Sequence, residues 1–202
     1  RAEHELTFAS GVPARTRAFA AFGLGIAGEE LDGYHRLVIA RALHRNLERE
    51  LTARQNSNEV ASACILALGL LPLPSHAGDF ATEPERPPLL ASCEAELRYL
   101  FALLDSATVS KVVRANVPIS LGRIAATLAP ASPMRAATVK RLLALLTHRS
   151  TDDEARRSAL LGLARACGSS PELDAAIYAA LIDAARSAAD QQTRSFALIA
   201  LG

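Results

Sequence analysis

Arg17-AFAAFGL-Gly25, Ala61-SACILAL-Gly69, Arg114-ANVPISL-Gly122, Arg157-SALLGLA-Arg165 and Arg194-SFALIAL-Gly202 are five copies of one nine-residue frame. The first residue is Arg in four copies and the last is Gly in four. The second is always Ala or Ser, and the eighth is Leu or Ala. Start-to-start spacings are 44, 53, 43 and 37 residues, which is the period of a unit built from two helices. Small residues near the start of the frame let neighbouring helices approach, and its terminal Gly permits tight packing on the next unit. The leading Arg can reach an acid or the C-terminal carbonyls of a helix in the adjacent turn. Arg17, Arg114, Arg157 and Arg194 are therefore read as a structural ladder stitching the units together, with an anion-binding stripe as the functional alternative. Asp153 with Arg157, and Asp190 with Arg194, stand four apart, a spacing suited to ion pairs.

The residues between frames supply a partner helix for each. Leu90, Cys93, Leu97, Leu100 and Leu104 step by three and four along one face, and Leu173, Ile177, Leu181 and Ala184 do the same. Leu31, Tyr34, Val38, Leu43, Leu47 and Leu51 form a longer stripe, and the run from Met134 to Leu146 a fourth. Ser132-Pro133 and Ser170-Pro171 each place a capping hydroxyl before a Pro at the first helical position. Acids at 152–154 favour a helix start there. Gly28 and Gly168 fall where a left-handed C-cap residue is useful. Pro118 removes a backbone hydrogen bond and predicts a kink in the third frame helix. Writing B for frame helices and A for partners, the order from about residue 13 is B-A-B, loop, A-B-A-B-A-B.

Composition agrees. The 202 residues include 41 Ala, and only 4% are aromatic. Such a chain reads as nearly all helix and excludes a β-sandwich, a collagen, a disordered chain and a disulfide-stapled miniprotein. Residues 72–88 hold five Pro in seventeen positions and read as a surface loop that lengthens one spacing. No apolar run approaches 18 residues, so no membrane span is expected. A net charge of +1 makes a nucleic-acid partner an unfavoured expectation. Three widely spaced cysteines, Cys64, Cys93 and Cys167, with no C-x-x-C favour a reducing, cytoplasmic compartment. Twenty Arg against two Lys suggest a GC-rich bacterial genome.

The frame Arg17…Gly25 with its trailing Ile26-Ala27-Gly28 resembles the short bacterial HEAT repeat of the bilin-lyase-like type, with matching stretches at Val113-Arg114…Leu121-Gly122 and Asp190…Thr193-Arg194…Leu201-Gly202. Ala61 in place of the frame Arg, Arg165 in place of the frame Gly, and Pro118 are its departures. The resemblance implies a right-handed α-α superhelix of HEAT/armadillo type, about four and a half helix pairs in one array over 1–202. The B helices are expected near 13–28, 57–71, 109–128, 152–167 and 190–202. An array that starts and stops inside a repeat is expected to be a piece of a longer protein. On such a superhelix Asn116, Arg123 and Arg165 are the candidate concave-surface binding residues.

No motif for catalysis is recognised. The five His (4, 35, 44, 76 and 148) form neither H-E-x-x-H nor a cluster with Cys, so no metal site is expected. His35 and His44 read as residues of a solvated helix face. Gly23-Leu24-Gly25-Ile26-Ala27-Gly28 matches G-x-G-x-x-G, but it closes an Ala-rich helix instead of following a strand, so no dinucleotide is expected. No catalytic residue and no cofactor are assigned. The expected function is a non-catalytic scaffold with a protein partner. The alternatives are a chromophore-handling, lyase-like HEAT protein and a HEAT-like nucleic-acid binder.

Overall fold

The computed structural model describes residues 11–53, 56–75 and 92–202. Ten helices follow one another there: α1 Ala14–Gly28, α2 Gly33–Thr52, α3 Asn58–Leu68, α4 Cys93–Asp105, α5 Lys111–Arg114, α6 Val117–Thr127, α7 Pro133–Thr147, α8 Asp153–Ala166, α9 Pro171–Ser187 and α10 Gln191–Leu201. No strand occurs among the described residues, and the chain is all-α. No described helix is long and apolar enough to cross a membrane. The five frames fall on α1, α3, α5–α6, α8 and α10. The chain divides into two compact units, 1–96 and 97–202, with the division inside α4. Most of the Pro-rich stretch, and His4 and His76, lie outside the described residues.

In the first unit α1, α2 and α3 pack against one another around Leu43, Leu47, Ile65 and Leu68, all fully buried. Asp32 starts α2 by accepting the His35 N–H at 3.0 Å, and Ser57 starts α3 by accepting that of Val60 at 3.4 Å. The α1–α3 contact runs backbone to backbone: a Cβ on Gly25 would come within 2.7 Å of Ala67 Cα. Gly28 serves packing too. Its φ is not positive, because the only positive φ among the described residues is that of Gly168, and a side chain at Gly28 would strike Leu71. The expected left-handed cap at Gly28 is thus corrected to a close contact. The stripe on α2 is corrected as well. Leu31 and Tyr34 are exposed, and the buried line is Leu37, Ala40, Leu43, Leu47 and Glu50. Leu31 precedes the helix, which begins only after the Asp32 cap, and Tyr34 sits in the first turn with its side chain exposed.

In the second unit the frame helices pack in chain order, α6 on α8 and α8 on α10, with α7 on α9 beside them. Gly122 and Gly162 meet backbone to backbone, so a side chain at either would overlap its neighbour. Pro118 breaks its helix instead of kinking it. The α5 turn ends at Arg114, and α6 restarts with Pro118 in its first turn, where a missing N–H costs nothing. The next donor, Ile119 N–H, is taken at 3.1 Å by Ser158 Oγ, the small second residue of the following frame. Ser132 and Ser170 cap α7 and α9 at the N–H groups of Arg135 and Leu173. Gly168 closes α8 with φ +86°. The two anticipated side-chain ion pairs are replaced by other bonds. Asp153 pairs with Arg156 at 2.8 Å and offers Arg157 only its backbone carbonyl, while Asp190 caps α10 at Thr193 N–H. A cap satisfies a helix N–H that no other group reaches, so it takes precedence over an exposed pair.

Candidate functional site

The ladder residues lie at the starts of frame helices, with different partners. Arg17 on α1 pairs with buried Glu50 on α2, whose second oxygen accepts Ser57 N–H at 2.8 Å, so one carboxylate ties all three helices of the first unit. Arg114 donates to Ser106 O at 3.3 Å, just beyond the end of α4. Arg194 donates to Ala188 O at 2.5 Å and Ala189 O at 3.2 Å, just beyond α9. Arg157 bonds Asp153 O, Glu154 and, on α10, Gln192. Among the described residues, Arg157 alone of the four bonds the following frame helix.

A second pair of arginines, not singled out by sequence, does tie successive frame helices. Arg36, on partner helix α2, donates to Gly28 O and Glu29 O at the end of α1 and to Pro72 O beyond α3. Arg135, on partner helix α7, repeats this in the second unit. It donates to Ala126 O and Leu128 O at the end of α6, to Ala166 O and Cys167 O at the end of α8, and through Nε to Ser169 Oγ at 2.8 Å. Arg135 is 5% exposed and has no carboxylate partner among the described residues. Unpaired helix carbonyls, each carrying the negative end of the helix dipole, take that role. A signal was present in sequence: both arginines stand three or four residues after the cap of a partner helix.

Of the candidate surface residues, Arg123 and Arg165 belong together and Asn116 does not. Arg123 follows Gly122 on α6, and Arg165 stands one turn beyond Gly162 on α8, so the glycine contact brings their ends of the helices side by side. Burial, and then the like charge of Arg165, hold the Arg123 guanidinium below its usual affinity for protons. Asn116 lies at the opposite end of α6, roughly 10 Å away along the axis, and its amide donates to Val112 O at 2.9 Å.

Two clefts open where partner helices turn into frame helices of the second unit. One, of about 300 Å³, is lined by Arg114, Arg141, His148, Asp105 and Asp152. In it Arg141 pairs with Asp105, and Asp152 with Lys111 at 3.2 Å. The other, of about 440 Å³, has Leu143, Leu146 and Leu160 in its wall with Asp183 and Asp190.

Cys64, Cys93, His35, His44 and Glu96 are packed or committed. Burial pushes the Cys64 thiol up to about 12, which removes its nucleophilic form. Cys93 donates to Leu73 O. His35 bonds Asp32 at 2.7 Å, and burial lowers the basicity of His44. Glu96 is fully buried with neither carboxyl oxygen hydrogen-bonded, and burial holds it well above the usual carboxylate range. No group of three His, Cys, Asp or Glu side chains arranged to hold a metal occurs among the described residues.

Comparison with protein-family models, with curated proteins and with solved structures finds no match to this chain.

Proposed function

We propose that the chain is a HEAT-type α-solenoid, a right-handed superhelix of helix pairs, that acts as a scaffold holding another protein. The carrying observation is the packing of the frame helices in chain order within each unit, α1 on α3 and α6 on α8 on α10. Gly25 and Gly122 close two of these contacts at backbone distance. Units that bury their apolar faces only against sequential neighbours leave a long face of frame-helix side chains free for a macromolecule. The arginines spanning α6 and α8 give that face its chemistry.

Two measurements test this. Small-angle scattering of the full chain is expected to fit an elongated, curved particle, and a compact sphere refutes the solenoid. A photo-crosslinking residue placed at Arg123 is expected to trap one protein saturably, and the same residue at exposed Lys140 is expected not to. Equal, unsaturable labelling from both positions refutes the scaffold.

A further inference from the structure

We propose that the α6–α8 face is a docking site for an acidic segment of a partner protein, whose carboxylates bridge Arg123 and Arg165. This rests on the scaffold reading above and names the chemistry of what is held. Arg123 Nη1 is buried and has no hydrogen-bond partner among the described residues. A buried cationic donor without an acceptor is unfavourable until an acceptor arrives. Arg165 stands beside it on α8, exposed, with no bond or ion pair among the described residues.

The groups that could neutralise the pair are elsewhere. Helices α6, α7 and α10 carry no acid at all. The last acid of α8, Glu154, lies three turns before Arg165, roughly 16 Å along the axis. Asp174 on α9 is committed to the N–H groups of Gly168 and Ser169, at 3.0 and 3.2 Å. Four carbonyls at the ends of α6 and α8, the other source of negative charge, are taken by Arg135. Two guanidinium groups thus share one face with no counter-charge among the described residues, and a carboxylate matches the paired N–H donors of each.

A nucleic-acid strand is the poorer fit. It needs a longer run of cations along its phosphates and aromatic rings for its bases, whereas α6 and α8 hold no aromatic residue and the whole chain carries only +1.

The test uses the full chain and a fluorescein-labelled peptide of alternating Glu and Ala, read by anisotropy at low salt. Wild type is expected to bind with an affinity that falls as salt rises. Arg123→Gln and Arg165→Gln are each expected to weaken binding about tenfold. Neither is expected to lower the melting temperature, because no internal bond is lost. Arg149→Gln, which removes an exposed arginine in the turn before α8, is expected to bind as wild type does. Wild-type affinity in both face variants, or an equal loss in Arg149→Gln, overturns the inference. So does tighter, Arg123-dependent binding of a single-stranded oligonucleotide of matched charge. If the peptide fails while the crosslink at Arg123 still traps one protein, the acidic-segment inference alone falls and the scaffold stands.

Discussion

Replacing Arg135 by Leu is expected to be among the most damaging single changes in the second unit. The side chain is 5% exposed and makes five hydrogen bonds, four to terminal carbonyls of α6 and α8 and one to Ser169. A hydrogen bond to a charged group contributes about 1.5–3 kcal/mol, but removing the guanidinium also ends its own desolvation cost and lets some carbonyls meet water. Breaking a buried charge from its partners costs about 3–5 kcal/mol, and the same range is expected here. Arg135→Lys keeps the charge and loses the fork that spans two helix ends, so about half of that loss is expected. Arg141→Leu is the control, since its pair with Asp105 is largely exposed and contributes about 0–1 kcal/mol. Urea unfolding of the full chain, followed by far-UV circular dichroism, measures all three. A loss below about 1 kcal/mol for Arg135→Leu, no larger than the control, refutes the assignment of Arg135 as a clamp between frame helices.

Gly122→Val is expected to destabilise by about 3 kcal/mol, seen as a lowered melting temperature, because the new side chain overlaps the Gly162 backbone. Glu50→Ala should cost about 3 kcal/mol in urea, since it strands Arg17 and the Ser57 N–H together. Ser158→Ala is expected to cost about 1 kcal/mol by the same assay, through the freed Ile119 N–H. Glu96 binds its proton more tightly folded than unfolded, so its favourable contribution is whole below about pH 4.5 and is lost as pH rises towards its folded value. The stability of Glu96→Gln relative to wild type should therefore increase with pH above 4.5, and a pH-independent difference contradicts the burial.

The helical frame was readable because three constraints coincide on its residues: small side chains where helices touch, periodic Leu, and Gly where backbones meet. Ser132, Ser170 and Gly168 were equally readable, since each answers a local demand of a helix end. The start of α2 is not legible in the apolar spacing, because Leu31 continues it before the helix and Tyr34 continues it on an exposed part of the first turn; only the Asp32 cap marks the boundary. Pro118 was assigned to a helix interior because a two-residue break between α5 and α6 leaves no trace in hydrophobic periodicity. Arg36 and Arg135 are not legible in sequence as clamps, because an arginine amid Leu and Ala looks solvent-facing until the carbonyls around it are known. Arg123 and Arg165 are legible as separate frame-helix residues, but their nearness depends on the Gly122–Gly162 contact. Asn116 stands apart from them at the other end of α6, because membership of the same helix says nothing about which end a residue occupies.

The guanidinium clamps have a mechanical corollary. Partner helices α2 and α7 each carry one, whereas α9 has Leu173 and Asp174 at the matching positions, and Asp174 fastens only the turn behind it. The seam between α8 and α10 therefore lacks the rivet that fixes α6 to α8. Under tension or thermal agitation the second unit should part there first, with amides of α10 exchanging with deuterium ahead of those of α6.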